Sequence, residues 1–153
     1  FRQYWSKILD DLYRVSLAIS ILELTDKTIS DNDPHPLLFL TLKEVLKAFN
    51  NSLIDPKILF WFYECALLNN LGFQPNLEDP KLPGLILPNI KNDSNCIVVL
   101  STLLSGEMSQ LQKIKVSKKT SSLISIYLWS LIDYHFEGLS SIKSFKVVKK
   151  LLS

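Results

Sequence analysis

Glu64, Cys65, Asn69 and Asn70 lie inside the most apolar stretch of the chain, FWFYECALLNNLGFQPNLE at 60–78. A carboxyl group among aromatic side chains needs an arginine or backbone donors if it is to carry charge there. For acid–base catalysis it would also need a second group converging on a dry cleft, and Glu64 with His135 is the pairing to consider. No nucleophile or further base accompanies them, which favours a structural role for Glu64. The paired carboxylates Asp10–Asp11, Asp31–Asp33 and Glu78–Asp79 fall in turns or on polar helix faces, where solvation and capping account for them. His35 sits in a proline-bounded turn and His135 near a helix end, where it suits the helix dipole. Two histidines and two cysteines, Cys65 and Cys96, do not make a zinc set at this spacing. Gly-rich phosphate loops, HExxH and GxSxG are absent. These residues describe a protein that is not an enzyme and carries no metal or cofactor.

The lysines are the stronger chemical signal. The net charge of +2 is unevenly spread: residues 1–106 hold 9 Lys or Arg against 12 Asp or Glu, and residues 107–153 hold 8 Lys against 3 acids. KIKVSKK at 113–119 and IKSFKVVKK at 142–150 interleave lysine with apolar residues. A helix could bury the apolar stripe of such a segment and offer its ammonium groups to phosphates. Lys143, Lys146, Lys149 and Lys150 are the first candidates for polyanion contact; Lys113, Lys115, Lys118 and Lys119 are the second. A solvated lysine face explains the same composition. The nearby aromatics Tyr127, Trp129 and Phe145 are spaced for packing more than for stacking on bases.

The elements that would position these groups are helices. At 153 residues, with 47% hydrophobic residues and 4 glycines, the chain suits one packed domain spanning 1–153. Tyr4, Ile8, Leu12, Val15, Ile19 and Leu22 recur at helical spacing over 4–29, with Lys7, Asp10, Asp11 and Arg14 on other faces. SDNDPHP at 30–36 forces a turn, and a second helix follows over 37–49. A third starts at Pro56, capped by Asp55, and stops at Gly72. Residues 74–96, with four prolines, form an irregular excursion. CIVVLSTLLSG at 96–106 reads as either strand or helix; without a partner strand, a short helix ending at Gly106 is favoured. A helix over 118–136, led by Ser117 or Ser121, places Leu123, Ile126, Tyr127, Ser130, Leu131 and Tyr134 inward. After Gly138, a last helix over 140–152 shows Ile142, Phe145, Val148 and Leu152 at helical spacing. The fold class is an all-α bundle of about five to seven helices. No apolar run reaches the ~20 residues of a membrane span, no signal peptide is visible, and the two cysteines suit a reducing compartment.

Three segments in order resemble the RecO family of bacterial recombination mediators. FYECALLNNLGFQPNLE places Glu64, Leu67, Leu68, Leu71, Gly72 and Phe73 on the family's aromatic-Glu, Leu-Leu, Leu-Gly-aromatic pattern. Upstream, ISILELTDKTISDNDPHPLLFLTLKEVLKAF is similar to its helix pair. Downstream, YHFEGLSSIKSFKVVKKLL is similar to its closing stretch, with Ile142, Lys143 and Ser144 after a glycine. The resemblance covers the helical C-terminal part, and implies an N-terminal OB-fold before Phe1. It also implies that 74–96 stands in place of a four-cysteine zinc module, of which Cys96 alone remains. By resemblance, the function is DNA repair and recombination in the bacterial cytoplasm, at the nucleoid. Implied partners are single- and double-stranded DNA, the C-terminal tail of single-stranded DNA-binding protein, RecR and, indirectly, RecA, with no membrane. Trp61 and Phe62 would be the apolar half of a pocket for that tail, with Arg14 or Lys57 as its charged half. A helical protein-interaction module without direct DNA binding is the alternative.

Overall fold

The computed structural model describes residues 2–29, 33–51 and 53–136, with side chains described for 10–29, 33–50 and 53–136. Five α-helices occur there: α1 (Arg2–Thr28), α2 (Pro36–Asn51), α3 (Pro56–Asn70), α4 (Ser94–Leu104) and α5 (Lys118–His135). Two 3₁₀ turns, Ile90–Asn92 and Met108–Lys113, punctuate the second half. The described residues form no named strand; Leu82 and Leu85 make an isolated bridge. The helix expected over 140–152 and the break at Gly138 lie outside the described residues.

The local signals that start and stop α3 act as the sequence suggests. Asp55 accepts the Lys57 N–H at 2.9 Å, and Pro56 occupies the first turn, where its missing N–H goes unneeded. At the other end, Phe73 N–H reaches Leu68 O at 2.7 Å and Gly72 N–H reaches Asn69 O at 3.3 Å. This paired closure requires the left-handed backbone of Gly72, whose φ is +86°. Between these ends, ten residues of α3 are buried, from Ile58 to Leu68. A helix apolar all round has to be surrounded, and α1, α2, α4 and α5 all pack on it.

Cross-links between side chains fix directions. Lys57 and Trp61 of α3 bond Ser121 and Ser125 of α5, each at 3.1 Å, so the two helices run parallel in register. The Thr25 and Tyr63 hydroxyls share a buried hydrogen bond that ties the end of α1 to the middle of α3. The irregular excursion is anchored rather than loose: Tyr134 Oη donates to Pro83 O at 2.9 Å, and the Phe73 and His135 rings stack at 4.2 Å. CIVVLSTLLSG is helical, within α4, and turns at Gly106.

Two helix faces differ from the spacing argument. On α1 the core takes Leu17, Ile21 and Leu24, all fully buried, while Leu12, Val15, Ile19 and Leu22 face outward at 45–58% exposure. Both sides of this helix are apolar, so periodicity could not choose between them. On α5 the buried set is Thr120, Ser121, Ile124, Tyr127, Leu128, Leu131 and Ile132, whereas Ile126 and Tyr134 are exposed. The serine and threonine turn inward because Lys57 and Asp93 supply partners for their hydroxyls. Ser117 caps α5 by accepting the Thr120 N–H at 3.1 Å. Ser117→Ala is therefore expected to cost about 1 kcal/mol, read as a lower midpoint in urea with an unchanged slope.

Candidate nucleic-acid interface

Four elements meet at the start of α5. Asp93, ahead of α4, takes the N–H groups of Asn95 and Cys96 on one oxygen, at 3.1 and 3.2 Å. Its other oxygen accepts the Thr120 hydroxyl at 2.7 Å, joining the caps of two helices. That hydroxyl, then the Cys96 and Asn95 amides and the charge of Lys119, hold the carboxyl below its ordinary range. From α3, Lys57 reaches the same end of α5 through Ser121.

Lysines flank this junction along the chain. Lys118 and Lys119 form the first turn of α5, are exposed, and have no acidic residue beside them in that turn. The amino end of a helix is already electropositive, so cations there repel the dipole and favour an incoming anion. Lys113 and Lys115 are exposed on the approach to the helix. Lys91, exposed two residues before Asp93, adds a charge that sequence spacing did not single out. The legible hint was NDSN at 92–95, a capping sequence that had to end against something. Phosphates are the anions such a cluster can neutralise, with no base readout implied.

The other candidates are distributed differently. Trp61 and Phe62 are 0% and 3% exposed, so they are core side chains and not the wall of a partner pocket. The encirclement of α3 puts them there. Arg14 donates to Phe49 O at 3.2 Å, joining α1 to the end of α2, while Lys57 belongs to the α5 junction. Lys143, Lys146, Lys149 and Lys150 lie outside the described residues. Glu64 is 1% exposed and its Oε2 has no hydrogen-bond partner among the described residues; burial pushes its pKa well up. His135 lines a separate hollow of about 230 Å³ with Phe73, Lys81 and Leu82, which Glu64 does not reach. Its ring stacks on Phe73, and burial holds the imidazole below its ordinary range. The two groups therefore do not converge on one cleft. Burial raises Cys65 well above the usual thiol and Cys96 to about 11, so both are protonated near neutrality. No group of three or more metal-ligating side chains occurs among the described residues. None of the described helices is long and apolar enough to cross a membrane.

Residues 9–81 match the family model described as Recombination protein O C terminal. A DNA repair protein RecO of Thermoanaerobacter sp. (strain X514) is 29% identical over 155 residues, covering 84% of this chain and 62% of that protein. Its counterpart in Exiguobacterium sibiricum is 27% identical over 139 residues, covering 91% of this chain and 54% of the relative. A third, from Streptococcus equi subsp. zooepidemicus, is 38% identical over 72 residues, 47% of this chain and 28% of the relative. The chain thus spans 54–62% of the first two relatives' length. No solved structure matches it.

Proposed function

Because the chain belongs to the RecO family, in its C-terminal helical domain, we propose that it serves DNA repair and recombination by contact, without catalytic turnover. The lysines around the start of α5 hold the phosphate backbone of single- or double-stranded DNA. The observation that carries this reading is the exposed pair Lys118–Lys119 at the electropositive amino end of α5, where the one acid described in contact, Asp93, is engaged by the Thr120 hydroxyl and the Asn95 and Cys96 amides. Lys57, Lys91, Lys113 and Lys115 extend the same field, and Lys143, Lys146, Lys149 and Lys150 would add to it. Contacts with the tail of single-stranded DNA-binding protein and with RecR, leading to RecA loading, complete the mediator role that the resemblance implies.

Charge contacts of this kind predict the salt dependence. With a labelled single-stranded oligonucleotide followed by anisotropy, Lys57→Gln, Lys118→Gln and Lys119→Gln together should flatten the slope of log affinity against log salt by about 2. Melting curves of the triple variant establish that it is folded. An unchanged slope and affinity would remove this junction from the DNA interface. The alternative, a protein-interaction module, draws support from the apolar side chains that α1 and α2 leave in solvent.

A further inference from the structure

Leu12, Val15, Ile19 and Leu22 stand three, four and three residues apart on α1, at 58, 54, 45 and 48% exposure. On a helix of 3.6 residues per turn they fall in one strip, on the side opposite Leu17, Ile21 and Leu24. Alternation of three and four is the spacing by which one helix interdigitates with another along a narrow seam. The strip is about 15 Å long, at ~1.5 Å per residue. It continues onto α2, because Leu22 and the half-exposed Phe39 share the wall of a hollow of about 400 Å³.

The charges along this face select the partner. Asp11 lies one turn before Val15, and Asp26 lies one turn beyond Leu22 and borders the hollow together with Asp33, whose carboxylate meets His35 Nε2 at 3.2 Å. Of the cations described on α1, Arg14 donates to the Phe49 carbonyl and shares a hollow with Asp11 and Val15, so it offsets the Asp11 end and leaves the Asp26 end the more acidic. Lys27 stands about a quarter-turn or more round the helix from the strip, at ~100° per residue. A second copy of this face would bring acid toward acid, whereas lysine or arginine beside an apolar seam would meet opposite charge. We propose that the outer face of α1 docks an amphipathic helix of a partner protein whose apolar seam is flanked by basic residues. The apolar seam supplies the burial, and the aspartates set which helices are accepted.

The test titrates the full chain into a labelled synthetic peptide about three heptads long, with leucine at the seam and lysine at the flanks. A second peptide carries glutamate in place of every lysine. The lysine peptide is expected to bind, more weakly as salt rises, and the glutamate peptide to bind at least about tenfold less well. Ile19→Asp separates docking from general charge attraction, since it adds a negative charge while breaking the seam. Seam docking predicts at least about tenfold weaker binding for this variant, with an unchanged melting curve. Equal or tighter binding by Ile19→Asp, or equal binding of both peptides, overturns the proposal. So does no binding of the lysine peptide, or sedimentation of the wild-type chain as a dimer that Ile19→Asp makes monomeric.

Discussion

Trp61→Ala is expected to lower the stability of this bundle by about 3–5 kcal/mol, against a total of about 5–15 kcal/mol for a domain of ordinary stability. The indole is 0% exposed on the helix that every other described α-helix touches, so its loss leaves a cavity with no solvent side from which neighbours can close. The Trp61 Nε1–H bond to Ser125 Oγ, 3.1 Å long, disappears too, and leaves a half-buried hydroxyl on α5 to find another partner. Urea unfolding followed by far-ultraviolet circular dichroism would register the change. A midpoint close to wild type would mean that Trp61 faces a partner after all. Trp61→Phe keeps most of the volume and should fall well between the two.

The second large effect concerns pH. Glu64 is buried with one carboxyl oxygen unpartnered, and burial raises its pKa well above the ordinary carboxylate value. The folded protein therefore holds a proton on Glu64 at pH values where the unfolded chain has released it. In that window the native state binds more protons, so stability falls as pH rises from the unfolded carboxylate value, about 4.3, toward the folded one. The maximal slope for one such group is about 1.4 kcal/mol per pH unit. Glu64→Gln removes the titration and should flatten the fall, with the largest gain over wild type at the alkaline end. Unfolding at a series of pH values above 5 would check this. Parallel curves for the two proteins would mean that the carboxylate is ionised and paired in the fold.

The ends of the helices were legible because each is set by a few adjacent residues. Asp55 with Pro56, Ser117, Gly72 and Gly106 act where the sequence puts them. Orientation was less legible where a helix is apolar on two sides. Leu12, Val15, Ile19 and Leu22 are as regular as the set that α1 actually buries, and only the position of α3 decides between them. Trp61 and Phe62 looked available for the same reason: a helix apolar all round gives no sign of which side, if any, is open. The candidate interface was half visible. Lys113, Lys115, Lys118 and Lys119 are adjacent in sequence, but Lys57 and Asp93 join the start of α5 only through tertiary contacts spanning up to 64 residues.

The anchored excursion between α3 and α4 bears on how such a chain can change length. Its entry is locked by the Gly72 turn and the Phe73–His135 stack, and its exit by Asp93, which caps α4 and holds α5. Between those locks the chain contributes half-buried leucines, the Pro83 carbonyl that Tyr134 bonds and one core side chain, Ile90, but no α-helix. Residues could be gained or lost there, even enough for a separate small fold, while the helices on both sides keep their packing. Closing a longer loop adds only about 0.6 kcal/mol per doubling of its length. The bundle thus offers one seam along its chain where new material can be grafted at little cost to what surrounds it.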